Sequence, residues 1–267
     1  MKVCLKGNQT REYLQKADEI LISIYDMDRI PKLFENYPAI NVIITLPHEA
    51  ENIDIDWKML DAYNQMFNYR IILCVSDESQ ALRAKDYNIR FYFRYAIESF
   101  YELLRVRDME PSYVILGPEL FFRLPDVKNI GIPVRAFPNV ALPEYSLAKD
   151  DGVLGTWIRP EDLEAYSEYI DAIEFYNADV HKEQALYRIY IEQKEWPGDL
   201  SMIIENFDYP GVNRMLKSEY TQKRISCGQR CATRPGSCQI CYRVLNLANP
   251  TLIQNYAEEV QKKIIEK

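Results

Sequence analysis

The chain has 267 residues, a formal net charge of −8 and 48% hydrophobic residues, which suits one large globular domain or two small ones. It contains only 9 glycines and 2 histidines, His48 and His181. No segment matches the phosphate loops G-x-x-x-x-G-K-[ST] and G-x-G-x-x-G, and neither histidine belongs to an H-E-x-x-H motif. This composition excludes Walker NTPases, Rossmann dehydrogenases and the common helical zinc proteases.

The net charge and the distribution of apolar residues also indicate where the protein is located and which partners it can bind. No stretch of about 18 apolar residues is present, and the first six residues lead directly into polar sequence. We therefore expect a cytoplasmic protein that does not contact a membrane. The acidic balance disfavours extended nucleic-acid binding, because it repels phosphates. Nucleic acid is expected only at a local basic patch, formed by Arg224, Arg230, Arg234 and Arg243.

Short apolar runs that are rich in β-branched and aromatic residues recur along the first 180 residues. They lie at 3–5, 20–25, 42–46, 71–75, 91–95, 113–116, 134–137, 155–158 and 172–176. Continuous runs of this kind are typical of parallel strands that are buried on both faces. Amphipathic segments between them predict helices at 10–16, 57–67, 78–86, 97–107, 120–127 and 160–169.

This alternation predicts an α/β fold, a (β/α)8 TIM-like barrel, since about eight such units fit within ~250 residues. Nine strand candidates are one too many for the barrel. Either the first run is an extra strand, or one of the last two lies outside. We expect the barrel to span residues 1–196. Residues 197–267 are expected to form an irregular cysteine-bearing segment that packs on the barrel and ends in a helix.

Four of the six cysteines lie close together in the C-terminal segment, in the pattern C-x3-C-x6-C-x2-C: Cys227, Cys231, Cys238 and Cys241. Four thiols at this density in a cytoplasmic protein predict a metal site rather than disulfides. Zinc and iron–sulfur clusters both accept four thiolates, and the short middle spacing favours a cluster. The radical-SAM spacing is not met, because Arg234 stands where the third cysteine would fall. Cys4 and Cys74 are interpreted as small buried residues.

Function in β/α barrels lies at the carboxyl ends of the strands, where a polar ring of mixed charge is predicted. Arginines beside carboxylates in such a ring suit an anionic ligand. The ring comprises Lys6, Asp26, His48, Glu49, Asp77, Glu78, Arg94, Glu119, Arg135, Asn139, Arg159, Glu174 and Asn177.

Three segments, together with the downstream cysteines, resemble the peptidase U32 family, also called collagenase-like. They are Leu116-Gly-Pro-Glu-Leu-Phe-Phe122, Val134-Arg-Ala-Phe-Pro-Asn139 and Trp157-Ile-Arg-Pro-Glu-Asp-Leu163. The resemblance implies a β/α barrel with a [4Fe-4S] cluster on the four clustered cysteines. It also implies that Glu119, Arg135 and Arg159 are the catalytic residues at the barrel mouth.

The resemblance further implies an oxygen-independent hydroxylation or related redox reaction on a small-molecule or base-like substrate. Two alternatives stay open: a peptidase, as the family name suggests, and a barrel in which a zinc-stabilised tail binds a partner protein in a heterodimer. No Ser/His/Asp or Cys/His constellation supports peptidase chemistry.

Overall fold

The computed structural model describes residues 1–46, 55–140, 156–197, 200–205 and 225. Within these residues, eight parallel strands form a closed barrel in which each strand pairs with the next, and β8 pairs with β1. The strands are β1 Lys2–Lys6, β2 Glu19–Ser23, β3 Asn41–Thr45, β4 Ile71–Val75, β5 Arg90–Ile97, β6 Tyr113–Leu116, β7 Val134–Ala136 and β8 Ala172–Glu174. The predicted (β/α)8 barrel is therefore confirmed.

Helices lie between the strands and after β8. They are α1 Arg11–Leu14, α2 Ile30–Asn36, α3 Trp57–Met66, α4 Glu78–Asp86, α5 Phe100–Arg107, α6 Pro118–Phe121, α7 Leu124–Ile130, α8 Leu163–Tyr166 and α9 Val180–Tyr187. Short 3-10 turns occupy Ile24–Arg29, Pro160–Asp162 and Leu200–Met202, and a π-helical stretch, Arg188–Gln193, continues α9.

Several helices begin where a polar side chain caps the first turn. Asp56, Asp77, Ser99 and Asp179 each accept a hydrogen bond from the backbone N–H three residues further on. This bond satisfies one of the donors that have no partner inside the helix. The caps fix the starts of α3, α4, α5 and α9.

The predicted strand at 155–158 is wrong for the residues that the structure describes, so one of the last two candidates lies outside the barrel. Residues 156–158 are not in a strand, and the backbone N–H of Ile158 donates to the carbonyl of Pro138 at 3.0 Å. Trp157 and Ile158 are fully buried in the core. Their apolar character therefore reflects packing on the barrel rather than membership of the sheet.

Two other differences concern helices. The predicted helix at 120–127 is two helices, α6 and α7, which are separated at Phe122 and Arg123. Neither α2 nor α9 is among the predicted helices, and α9 starts at residue 180, where the predicted strand–helix alternation ends. The described barrel falls inside the predicted 1–196 unit, whereas most of the predicted 197–267 segment lies outside the described residues.

The alternation of side chains along each strand creates two separate cores. Outward side chains pack against the helices in a large aliphatic and aromatic layer that includes Ile22, Ile44 and Leu73. Inward side chains fill the barrel itself, where Ile43, Tyr92 and other residues form a smaller cluster. The described helices include none with the length and apolar character needed to cross a membrane.

Candidate active site in the barrel interior

The centre of the barrel holds a buried ion-pair network around Arg135. This residue lies in the middle of β7, and its side chain is 0% exposed. One terminal nitrogen, Nη2, donates to the carboxylate of Glu19, and the other, Nη1, donates to Glu174 Oε2 at 3.1 Å. The guanidinium therefore joins the first residue of β2 to the last residue of β8.

Aromatic rings and a second chain of hydrogen bonds complete the network. The guanidinium carbon of Arg135 lies 4.6 Å from the ring centre of Tyr113 and 4.8 Å from that of Tyr92. The Tyr113 hydroxyl donates to Glu19 Oε1 at 2.6 Å and accepts from Lys2 Nζ at 2.9 Å. Polar contacts thus run from the exposed Lys2, at the amino end of the barrel, to Glu174 at the carboxyl end.

Burial and mutual charge set the protonation of these groups. Burial alone lowers the pKa of Arg135, but Tyr92, Cys4, Glu19 and Glu174 together raise this pKa well above its ordinary value. The guanidinium is therefore permanently charged. Burial raises the pKa of Glu174, and the attraction of Arg135 opposes part of that rise. The barrel consequently keeps one fixed cation beside a carboxyl group that holds its proton more tightly than usual.

Cys4 and Cys74, the cysteines that the structure describes, are free and buried inside the barrel. Desolvation raises the pKa of the Cys4 thiol, and it raises that of Cys74 to about 11. Both thiols are neutral at physiological pH and are poor nucleophiles. The interpretation of these two cysteines as small buried residues is confirmed.

Glu183 of α9 holds the loop after β1 at the carboxyl end of the barrel. Its carboxylate accepts hydrogen bonds from the backbone N–H of Lys6 and from the Gln9 side chain, while Lys6 Nζ donates to the carbonyl of Ala178. Burial raises the pKa of Glu183 to about 7. This loop therefore has a fixed position beside the end of β8.

The loops after β7 and β8 are joined through Asn139, which is fully buried. Its side chain donates to the carbonyl of Tyr176 at 2.9 Å and accepts from the Tyr176 N–H at 2.8 Å. The N–H of Glu205 donates to the Asn139 carbonyl, and the Glu205 carboxylate accepts from Asn177 and Lys182. The chain that leaves the barrel is thus tied to its carboxyl end.

The three predicted catalytic residues have different surroundings. Glu119 lies in α6, directly after β6, and its side chain is outside the described part. Arg159 is nearly buried in front of a 3-10 turn and forms a bidentate ion pair with Asp162, with N···O distances of 2.6 and 2.9 Å. Arg135 does not line an open mouth as expected, because it lies inside the barrel between two carboxylates.

Other members of the predicted polar ring have structural roles that the geometry makes plain. Asp77 caps α4, and Glu78 pairs with Arg105 of α5 at 2.8 Å. Arg94 donates to the carbonyl of Leu46 at 2.6 Å. Asp26 lies within the 3-10 turn that follows β2. These contacts hold the ends of strands and helices in place.

The remaining candidates lie outside the described residues. They are His48, Glu49, the four clustered cysteines Cys227, Cys231, Cys238 and Cys241, and the arginines of the predicted basic patch. Within the described ranges, no group of three or more His, Cys, Asp or Glu side chains is placed to hold a metal ion. The buried Ile225, two positions before Cys227, packs into the outer core.

Sequence reasoning missed Glu19, the fully buried partner of Arg135. Glu19 begins β2, at the amino end of the barrel, where functional residues are not expected. One signal in the sequence could have identified it. Glu19 stands directly before the apolar run of β2 and two positions before Leu21, which lies on the inward face, so Glu19 belongs to the inward face as well.

No protein-family model matches the chain, and no curated protein matches it. The U32 resemblance therefore continues to rest on the three segments and the cysteine pattern. The barrel fold and the network around Arg135 stand on the structure itself.

Proposed function

We propose that this protein is a β/α-barrel enzyme of the U32 type that carries a [4Fe-4S] cluster on Cys227, Cys231, Cys238 and Cys241. Its reaction is an oxygen-independent hydroxylation or a related redox conversion of a small-molecule or base-like substrate. The substrate binds at the carboxyl end of the barrel, close to Glu174.

The observation that carries this proposal is the charged interior of the barrel. Barrels of this fold are usually filled by branched apolar side chains, which pack without any cost for burying charge. Here Glu19, Arg135 and Glu174 occupy that space, and Glu174 lies at the end where barrel enzymes act. Apolar side chains of similar volume would stabilise the barrel as well or better, so the presence of the network favours an enzyme over a passive binding module.

The donor set suits the cluster by its chemistry. Four thiolates within a short segment repel one another unless a metal centre neutralises them, and [4Fe-4S] clusters are held by four cysteines. When bound, the cluster supplies single-electron chemistry. The residues of the barrel supply the rest: Arg135 holds Glu174 in place, and Asn139 and Glu205 tie the outgoing chain to the carboxyl end.

Anaerobic purification of the full chain tests the cofactor directly. We expect a coloured protein whose iron and sulfide contents correspond to one [4Fe-4S] cluster per chain. The variant Cys238→Ser should lose the iron. The matched control Cys74→Ser, in which a buried barrel cysteine is changed, should keep it. A colourless protein with one bound zinc would refute the cluster and favour the zinc-stabilised binding module.

A further inference from the structure

Glu174 differs from the other members of the buried network in its access to the surface. Its side chain is 15% exposed, whereas those of Arg135 and Glu19 are 0% exposed. Glu174 is also the last residue of β8, so it faces the carboxyl end of the barrel. A molecule at that end can therefore reach this carboxyl group while the rest of the network stays covered.

Arg135 holds the Glu174 carboxylate in one orientation. Nη1 of Arg135 contacts Glu174, and the guanidinium cannot turn away, because Glu19 binds its other terminal nitrogen and the rings of Tyr92 and Tyr113 lie against it. The remaining nitrogen, Nε, is buried and has no hydrogen-bond partner among the described residues. Such an incomplete buried network needs a reason other than stability.

Charged and titratable groups face Glu174 from most of the barrel. They are Cys4 and Lys6 on β1, Glu19 on β2, Cys74 on β4, Tyr92 on β5, Arg135 on β7 and Glu183 on α9. Burial raises the pKa of Glu174 above its ordinary value, and the Glu19 carboxylate acts in the same direction as burial, while Arg135 and Lys6 oppose it. Glu174 therefore takes up a proton at a higher pH than a surface glutamate does.

The network cannot deliver protons to Glu174 from the amino end of the barrel. The polar contacts from Lys2 through Tyr113 and Glu19 are continuous as far as Arg135. A guanidinium does not give up its proton in a protein, so a relay stops there. Glu174 therefore does not exchange protons along this chain of hydrogen bonds, and its exposed side lies at the carboxyl end of the barrel.

We propose that Glu174 is the proton-exchanging group of this barrel and that Arg135 and Glu19 are its positioning residues. The Glu174 carboxylate accepts a proton from an O–H or N–H group of the bound molecule and becomes a neutral carboxylic acid. The proton returns in the reverse step, and no electrons are transferred. This inference rests on the proposed function only for the place where the substrate binds.

Carbodiimide labelling of the full-length, anaerobically purified protein tests the proposal without a known substrate. The reagent activates protonated, accessible carboxyl groups, and glycine ethyl ester then marks them for peptide mass spectrometry. We expect labelling of Glu174 to persist to higher pH than labelling of the exposed Glu35 and Glu168, while Glu19 stays unlabelled in the folded protein. Absence of labelling at Glu174, or labelling with the pH midpoint of the surface groups, overturns the proposal.

The variant Glu19→Gln tests the positioning roles. It removes a carboxylate that raises the pKa of Glu174 and leaves Arg135 to interact with Glu174 alone, so the labelling midpoint of Glu174 should shift to lower pH. An unchanged midpoint in a folded variant contradicts the role of Glu19. Since labelling does not require iron, a failed iron analysis and a failed labelling experiment are distinguishable.

Discussion

The outward and inward faces of the barrel strands come from the same short stretches of chain, yet they contain different chemistry. On β4, Leu73 points to the helices and packs among aliphatic and aromatic side chains, while its neighbours Ile72 and Cys74 point into the barrel. On β7, Val134 and Ala136 join the outer layer, and Arg135 between them pairs with two carboxylates inside.

This difference separates stability from function within single strands. The outer layer is large and apolar, and it stabilises the fold through burial of apolar surface. The interior buries charges whose desolvation offsets much of their attraction, so it stabilises the fold little for its size. Changes in the two layers should therefore differ in how their effects depend on pH.

The largest loss of stability is expected from Arg135→Met, which removes the cation and leaves the Glu19 and Glu174 carboxyl groups without it. Loss of one partner from a buried ion pair costs about 3–5 kcal/mol, and urea unfolding near neutral pH measures this loss.

The direction in which the stability of the Arg135→Met variant changes with pH follows from the Glu174 carboxyl group. Arg135 lowers the pKa of Glu174, so removing it raises that pKa further above the unfolded value. The folded variant then binds more protons than the unfolded chain, and its stability should fall as the pH rises from acidic to neutral. A loss of stability that is equal at acidic and neutral pH would contradict the buried network.

The second largest loss of stability is expected from Leu73→Ala in the outer layer. Leu73 is 0% exposed and lies between Ile44 and Phe91 on the neighbouring strands, so its removal leaves a cavity. The cost should be about 3 kcal/mol. Because no titratable group changes its surroundings, unfolding at several pH values should give the same loss. A loss that tracks pH would show that the two layers are not independent.

The contrast between the two layers also explains how much the sequence could predict. The outer layer leaves a strong signal, because continuous apolar runs mark buried strands, and eight of the nine predicted runs match strands of the barrel. The run at 155–158 led to a wrong strand prediction because Trp157 and Ile158 are as buried as strand residues but do not pair in the sheet. Burial explains a run of apolar residues, but only hydrogen-bond pairing makes it a strand.

The interior leaves a weaker signal in the sequence. Arg135 was recognisable as a polar residue in an apolar run, but its partner Glu19 is 116 positions away, and the two meet only because the barrel closes. From the sequence, Arg135 is predicted to lie in the ring at the mouth because its run, 134–137, is short and ends near it, whereas the closed barrel holds the side chain inside, between two carboxylates. Side-chain direction within a strand depends on register, which the closed sheet determines.

A smaller effect is expected from Tyr113→Phe, which keeps the ring against Arg135 and removes the hydroxyl. That hydroxyl donates to Glu19 and accepts from Lys2, so one charged acceptor inside the barrel loses a hydrogen bond. Hydrogen bonds to charged groups contribute about 1.5–3 kcal/mol. Thermal and urea unfolding should show a loss near the lower end of this range. The control Tyr101→Phe, at a residue 82% exposed, should show none.

The smallest loss of stability is expected from Arg159→Lys, at the other arginine among the predicted catalytic residues. Arg159 also pairs with a carboxylate, but its partner Asp162 is only three residues away, and the pair lies at the start of a 3-10 turn. Lysine keeps the charge but loses one of the two hydrogen bonds to Asp162, so stability should fall by about 1 kcal/mol. A double-mutant cycle with Asp162→Asn measures this coupling. A coupling as large as that between Arg135 and Glu19 would place Arg159 in a buried network of its own, and the barrel interior would no longer be the distinct charged region of this protein.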